Sequence, residues 1–173
     1  MRLIPIVALG LLFIGCTGSG RFTAMNQESA ALSAPAKTFK VGQIASKAGV
    51  SDSVNTLITQ ELEKQFKAAM AREKLEYAES QADLTIDIQV MQIRAGNAAV
   101  RYFLGPFFGK GDVQVLIKTT DRDGKEWLSG EGEGTVTGGG WGGKIQSTCK
   151  RIAVAYVKEY KKRAAAATKV AGN

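Results

Sequence analysis

The clearest chemical motif of the chain is a glycine-rich stretch that ends in lysine. Residues 138–144 read Gly-Gly-Gly-Trp-Gly-Gly-Lys, which fits the spacing G-x-x-x-x-G-K of a phosphate-binding loop. Ile145 stands where such a loop needs Ser or Thr to coordinate magnesium. The strand before the motif is also predicted to belong to an antiparallel hairpin, not to the parallel sheet of a nucleotide-binding fold. We therefore interpret the motif as a flexible connector, and we expect no nucleotide and no other cofactor.

Acid–base chemistry would have to depend on carboxylates, because the chain contains no His. The absence of His removes the commonest general base and the commonest metal ligand. The candidate carboxylates are Asp83, Asp87, Glu131 and Glu133. By alternation they lie on the solvent-facing side of predicted strands, where a solvated face is their usual explanation. We predict that the protein is not an enzyme and binds no metal, with a carboxylate-dependent hydrolase as a weaker alternative.

A cysteine close to the amino terminus is a candidate for covalent modification. Arg2 is followed by an apolar segment, residues 3–14, which is shorter than the ~20 residues that span a bilayer. Small Gly15 then precedes Cys16. Residues 11–16 resemble a bacterial lipobox, and this resemblance implies cleavage before Cys16, lipidation of its thiol and acylation of the new amine, for example with palmitate. The alternative is a plain signal peptide or an uncleaved anchor in which the cysteine occurs by chance.

The lipobox resemblance also implies a location. Thr17, and not Asp, follows Cys16, which in enterobacterial-type sorting rules indicates the outer membrane. We therefore expect a protein that is lipid-anchored in the cell outer membrane, with its domain facing the periplasm. The chain has one other cysteine, Cys149, which lies on an apolar helical stripe and is predicted to be a small buried side chain.

The charge of the chain is basic, with 23 Lys and Arg against 16 Asp and Glu and a formal net charge of +7. Nucleic acid is a poor partner for an exported protein, so we predict none. A general attraction to anionic surfaces of the cell envelope is a milder inference than nucleic-acid binding, and we favour the alternative that the basic residues form an ordinary solvated basic face. The one dense basic cluster is Lys158 to Arg163.

Composition divides the chain into four segments. Residues 1–15 are predicted to be a lipoprotein-type signal peptide. Residues 16–38, rich in Gly, Ser, Ala and Thr, are predicted to be the lipidated amino terminus and a flexible tether. Residues 39–163 form the predicted domain, and residues 164–173 are an alanine-rich tail. The domain is long enough for one substantial core.

Periodicity predicts two long helices and an antiparallel sheet within that domain. Apolar residues recur at helical spacing from Val54 to Met70 and again from Ile145 to Tyr160. They alternate between Leu84 and Val90, after which the phase slips. Either a β-bulge or a change of burial near the strand end would explain the slip. Residues 113–119 and 125–137 are predicted to pair as a hairpin through the Asp121-Arg122-Asp123-Gly124 turn. We predict an α+β fold: a single domain whose antiparallel sheet of four to five strands carries both helices on one face.

Two unusual segments bear on interactions. The second hairpin strand has Gly130, Gly132 and Gly134 on one face and Trp127 on the other by alternation, so we expect a helix or aromatic rings to pack closely on Gly132. Residues 101–111 join two strands and carry a cluster of aromatic residues. These rings either cap the core or form an exposed patch for a partner protein or a membrane leaflet. The residues of this candidate partner or packing loop are Arg101, Tyr102, Phe103, Phe107 and Phe108.

Taken together, these features resemble a known family. The residues that carry the resemblance are Arg101, Gly105, Gly109, Gly111, Asp123, Gly124 and the glycine-rich loop. The chain resembles the DUF4410 family of exported bacterial proteins and lipoproteins of unknown function, over roughly residues 39–160. The resemblance implies no catalytic residues.

We therefore predict a non-enzymatic envelope lipoprotein that binds or helps assemble another component of the cell envelope. Its expected partners are the membrane, through the lipid anchor, and another envelope protein or component. The alternative is a carrier or sensor that encloses a small apolar ligand.

Overall fold

A six-stranded mixed sheet and two helices make up the described part of the chain, in a computed structural model that describes residues 18–26, 36–94, 110–137 and 145–171. The elements in chain order are β1 (Gly20–Ala24), β2 (Thr38–Ser46), α1 (Asp52–Arg72), β3 (Glu76–Tyr77), β4 (Leu84–Arg94), β5 (Lys110–Asp121), β6 (Glu126–Thr137) and α2 (Ile145–Ala171).

The strand order across the sheet is β1-β6-β5-β4-β2-β3. Strand β2 runs parallel to both β3 and β4, while the β4–β5, β5–β6 and β1–β6 pairs are antiparallel. The prediction of an antiparallel sheet of four to five strands is therefore wrong. Helix α1 connects β2 to the β3–β4 segment, so the chain returns to the sheet in the same direction, as a parallel pair requires.

The edge strand β1 lies in the segment that was predicted to be a flexible tether. Residues 20–24 pair with β6 over the register Gly20↔Gly134 to Ala24↔Gly130. The prediction of a tether over residues 16–38 therefore does not hold for this stretch. At the other end of the chain α2 continues to Ala171, so most of the predicted alanine-rich tail belongs to the helix.

Both helices pack against the same face of the sheet, and one core lies between them and the strands. The alternation in β4 and β5 places one apolar set inside, as predicted. The fully buried side chains of this core with the largest volumes are Trp127, Tyr156, Phe39, Phe66, Ile58, Leu62, Met70, Leu84, Ile86, Ile88, Ile117 and Leu128. The opposite face of the sheet carries no helix among the described residues.

Two irregularities set which side chains enter the core. The register of β4 against β5 shifts between Val90 and Gln92, which confirms the β-bulge proposed for the slip in phase. A second shift places Thr119 opposite Leu128 and Thr120 opposite Glu126. Trp127 is the extra residue of this second bulge, so both Trp127 and Leu128 are buried. Alternation places Trp127 on the face opposite Leu128 and the glycines, and the bulge is the reason that both side chains are nevertheless buried.

The turn between β5 and β6 has the chemistry that its sequence predicts. An Asp121 side-chain oxygen accepts hydrogen bonds from the backbone N–H groups of Asp123 (3.0 Å) and Lys125 (2.9 Å). Gly124 has a φ of +77°, a conformation that glycine adopts without the steric penalty of a side chain.

Two glycines of β6, Gly132 and Gly134, lie directly beneath α2. A Cβ placed on Gly132 would stand 2.9 Å from a methyl group of Ile152, and one on Gly134 would stand 2.6 Å from the Thr148 backbone oxygen. The prediction of close packing on Gly132 is confirmed, and the packing element is α2. The missing side chains let the helix backbone approach the sheet.

Candidate functional site

Several of the predicted site residues lie outside the described residues. These are Cys16, the aromatic loop residues Arg101, Tyr102, Phe103, Phe107 and Phe108, and the glycine-rich loop up to Lys144. The described structure does fix their neighbours in the chain: residue 18 comes two positions after Cys16, and α2 begins at Ile145.

The start of the described chain is held firmly against β6. The backbone oxygen of Ser19 accepts a hydrogen bond from the Thr135 N–H at 2.8 Å, and the two hydroxyl groups lie 2.7 Å apart. At the far end of β1, the Asn26 side-chain oxygen accepts hydrogen bonds from the Ser129 N–H (3.0 Å) and from Arg163 (3.1 Å). The strand is therefore fixed at both ends, close behind Cys16.

A groove runs between β1 and α2 along this flank of the domain. It has a volume of about 970 Å³ and includes residues 20–22 of β1 in its lining. We call it the basic groove, after its lining residues Arg21, Lys150, Arg151, Lys158 and Lys162, with Val154 between them. Val154 is 48% exposed, so the groove combines cationic side chains with an apolar strip on α2.

The charge of the basic groove is largely uncompensated within the described part of the chain. Its one lining carboxylate, Glu159, lies 3.3 Å from Arg163 and 3.8 Å from Lys162. The described residues offer no ion-pair partner within 4 Å to Lys150, Arg151 or Lys158. Arg21 differs, because it is directly opposite Glu133 in the β1–β6 register. Such an arrangement attracts anions.

The helix-free face of the sheet offers a second, smaller depression of about 400 Å³. Met25, 62% exposed, lies at its edge, and Asp87 and Lys118 are opposite each other in the β4–β5 register. An Asp87 side-chain oxygen accepts a hydrogen bond from the Gln43 N–H at 2.8 Å. The polar groups of this depression are thus partly engaged in hydrogen bonds that hold neighbouring strands together.

The four candidate carboxylates do not form one site. Asp87 is on β4 while Glu131 and Glu133 are on β6, so strand β5 lies between them. Asp83, just before β4, lies 2.9 Å from Arg122. In the residues that the structure describes, no group of three His, Cys, Asp or Glu side chains is arranged to hold a metal ion.

Asp83 has a structural role. One of its oxygens accepts hydrogen bonds from the backbone N–H groups of Lys37 (2.8 Å) and Thr38 (2.9 Å) and from the Thr38 hydroxyl (3.0 Å). The bond from the Lys37 N–H is the largest cause that lowers the pKa of Asp83 below its usual 3.8, followed by the bond from the Thr38 N–H. The ionised carboxylate thereby joins the start of β2 to the start of β4.

Cys149 is buried among apolar neighbours, as predicted. Burial raises the pKa of its thiol to about 12, with a smaller contribution from the charge of Glu61. Because the thiolate is the reactive form, this cysteine is suited to packing and not to chemistry.

Sequence reasoning missed the basic groove. It noted only the cluster from Lys158 to Arg163, although Lys150, Arg151, Lys158 and Lys162 recur along one side of α2. The sequence signal was incomplete because the other wall of the groove is β1, a strand of five residues with one large apolar side chain.

In the described residues, neither helix is both long and apolar enough to cross a membrane.

Comparison with known proteins gives a family and distant structural similarities. The model of a family described as a domain of unknown function, DUF4410, matches residues 21–139. No curated protein matches the chain. A PelC dodecamer from Paraburkholderia phytofirmans aligns with a TM-score of 0.49 at 18% identity, covering 80% of this chain and 93% of that chain. A minor lipoprotein from Acinetobacter baumannii aligns with a TM-score of 0.31 at 11% identity, covering 73% of this chain and 94% of that one. Similarities of this degree carry no argument about function.

Proposed function

The chain belongs to the DUF4410 family, and we propose that it is a non-enzymatic envelope lipoprotein that is anchored through an acylated Cys16. In this proposal it binds or helps assemble another component of the cell envelope. The anchor lies in the outer membrane, and the domain faces the periplasm.

The observation that carries the proposal is the sequence up to Cys16. A short apolar segment after Arg2 ends in Gly15-Cys16, the arrangement of a cleaved and lipidated signal. Several acyl chains on one residue bind a membrane stably, at about 0.8 kcal/mol per buried CH₂. Thr17 supports the outer membrane as the destination.

A non-enzymatic role is supported by how the described carboxylates are used. Asp83 and Asp87 accept backbone hydrogen bonds that join neighbouring strands. Glu131 and Glu133 face the helix-free side of β6, separated from Asp87 by β5. General acid–base catalysis needs positioned groups within reach of one reacting atom, and these four side chains are spread over the sheet.

The anchor is tested by labelling cells with an alkyne analogue of palmitate. We expect the wild-type protein to be labelled and to fractionate with the outer membrane, and Cys16→Ser to lose both properties. Cys149→Ser is the matched control, because it removes the other cysteine and should keep the label. Equal labelling of wild type and Cys16→Ser would refute the anchor.

The partner is tested by crosslinking in cells. The double variant Phe107→Ser with Phe108→Ser removes two rings of the aromatic loop. If this loop binds the partner, the variant should no longer capture an envelope protein, and its melting temperature should equal that of the wild type. A lower melting temperature with capture retained would instead assign these rings to the core.

The glycine-rich loop is tested with Lys144→Ala, which should change neither partner capture nor the melting temperature. Saturable ATP or GTP binding by the wild type that this variant loses would contradict our interpretation of the loop as a connector.

A further inference from the structure

We propose that the flank formed by β1 and α2 lies on the anionic membrane surface, with the cations of the basic groove on lipid phosphate groups. This inference rests on the proposed anchor at Cys16 and adds an orientation and a class of ligand to it.

The first support is the short distance between the anchor and the folded domain. Residue 18 is the first described residue, so the Cα atoms of Cys16 and Gly18 are at most about 7.6 Å apart. Ser19 is hydrogen-bonded to Thr135, and β1 is paired with β6 from Gly20 onward. A lipid on Cys16 therefore holds this end of β1 at the membrane surface.

The second support is the location of the cations relative to that end. A Cβ on Gly18 would stand 2.7 Å from the guanidinium carbon of Arg151. Arg151 thus lies close to the first described residue of the chain. The groove continues from there along α2 to Lys162, a length of about 16 Å at 1.5 Å per residue.

The third support is the sign and availability of the charge. Lys150 and Lys158 are exposed and Arg151 is partly exposed, and the described residues provide none of these three with an ion-pair partner. Each basic residue near an anionic bilayer raises the binding constant by about one order of magnitude or less. A membrane is favoured over a soluble anion because the anchor keeps lipid phosphates next to the groove.

The test uses the mature chain, residues 16–173, with Cys16→Ser, which keeps every described residue but carries no lipid. We expect it to bind vesicles of phosphatidylcholine mixed with phosphatidylglycerol, and to bind phosphatidylcholine vesicles weakly. Binding should fall at high salt, because the contact is electrostatic. The double substitution Lys150→Glu with Lys158→Glu should weaken binding on the order of tenfold or more.

The matched control is Lys64→Glu with Lys125→Glu. It changes the net charge by the same amount, on α1 and in the β5–β6 turn, and should leave vesicle binding within about twofold. Far-UV circular dichroism checks that both double variants are folded.

Three results would overturn the inference. They are absence of binding to the mixed vesicles, equal loss in both double variants, and binding of a soluble anionic polysaccharide that depends on Lys150 and Lys158 while vesicle binding does not. Because the tested chain is unlipidated, its outcome is independent of the labelling test on Cys16. Failure of the anchor and failure of this membrane contact are therefore distinguishable.

Discussion

At the scale of single residues, the most consequential feature is the absence of a side chain at two glycines of β6. Gly132 and Gly134 bring α2 so close to β6 that a Cβ at either position would meet helix atoms within 3.0 Å. Glycine in a strand lowers its intrinsic stability, and here the close approach of the helix compensates. These positions fix the distance between helix and sheet.

The first prediction concerns this contact. Gly134→Ala should lower the free energy of unfolding by about 1–3 kcal/mol, because the new methyl group would overlap the Thr148 backbone oxygen, which cannot move without the helix. Gly49→Ala is the control: no atom lies within 4 Å of its Cβ position, and it should be neutral or stabilise by about 0.4–1 kcal/mol. Urea unfolding measures both, and a Gly134→Ala protein as stable as wild type would contradict the packing.

The second prediction concerns Cys149. Its thiol is fully buried and its pKa is raised to about 12, so at pH 8 the folded chain should react with iodoacetamide only as fast as the protein unfolds. The Cys16→Ser background isolates this cysteine. Full reactivity should appear in denaturant, whereas rapid labelling of the native protein would show that the thiol is accessible.

At the scale of elements, the sheet is held together by long-range polar contacts as well as by its ladders. Asp83 joins the start of β2 to the start of β4 through hydrogen bonds from Lys37 and Thr38. Arg122, at the β5–β6 turn, adds an ion pair at 2.9 Å. A single carboxylate thus connects three segments that are distant in sequence.

Stability should therefore depend on the ionisation of Asp83, which is the third prediction. Its pKa is lowered in the folded state from the ordinary 3.8, so its contribution is present above that value and is lost as the pH falls below it, through the folded-state pKa. Asp83→Asn should destabilise the protein by about 1 kcal/mol at pH 7. The difference from wild type should shrink towards pH 3 in urea titrations, and a constant difference across this range would contradict the assignment.

The fourth prediction tests β1 as a strand of the domain. The Phe22 ring meets the Tyr156 ring edge-on at 5.5 Å between centroids, so Phe22→Ala should destabilise the protein by about 1–3 kcal/mol. Thr23→Ala is the control, since Thr23 is exposed and faces the other side of the sheet. A thermal melt compares them, and an unchanged melting temperature for Phe22→Ala would mean that this strand is not docked.

At the scale of the whole molecule, one core unites both helices and the strands. Residues of α1, α2, β2, β4, β5 and β6 belong to a single buried cluster, and Phe22 and Ala24 of β1 pack against it. Cooperative unfolding is the expected behaviour of such a domain.

The fifth prediction is that the chain unfolds in one transition. With Trp141→Phe, Trp127 becomes the only tryptophan, and it is buried against Tyr160 with 5.2 Å between ring centroids. Its fluorescence and the helical circular dichroism should therefore change at the same urea concentration. Separated midpoints would show that the helices and the β6 bulge belong to different cooperative units.

The local parts of the fold could be predicted from the sequence because their causes are local. The turn at Asp121–Gly124 depends on an aspartate side chain and a glycine within a few residues, and the apolar spacing of the helices defines their buried faces without reference to the rest of the chain. The glycine face of β6 and the burial of Cys149 came from the same periodicity. The predicted anchor at Cys16 likewise depends on a contiguous sequence.

Only the tertiary structure decided the directions and neighbours of the strands. Alternation places side chains on faces but does not give strand direction, so nothing local indicates that β2 runs parallel to β4. Strand β1 has little apolar signal of its own, and it forms because β6 offers an edge on which the Phe22 ring can lie against Gly130. The basic groove exists only once β1 and α2 lie side by side, since its lining residues come from segments more than a hundred residues apart.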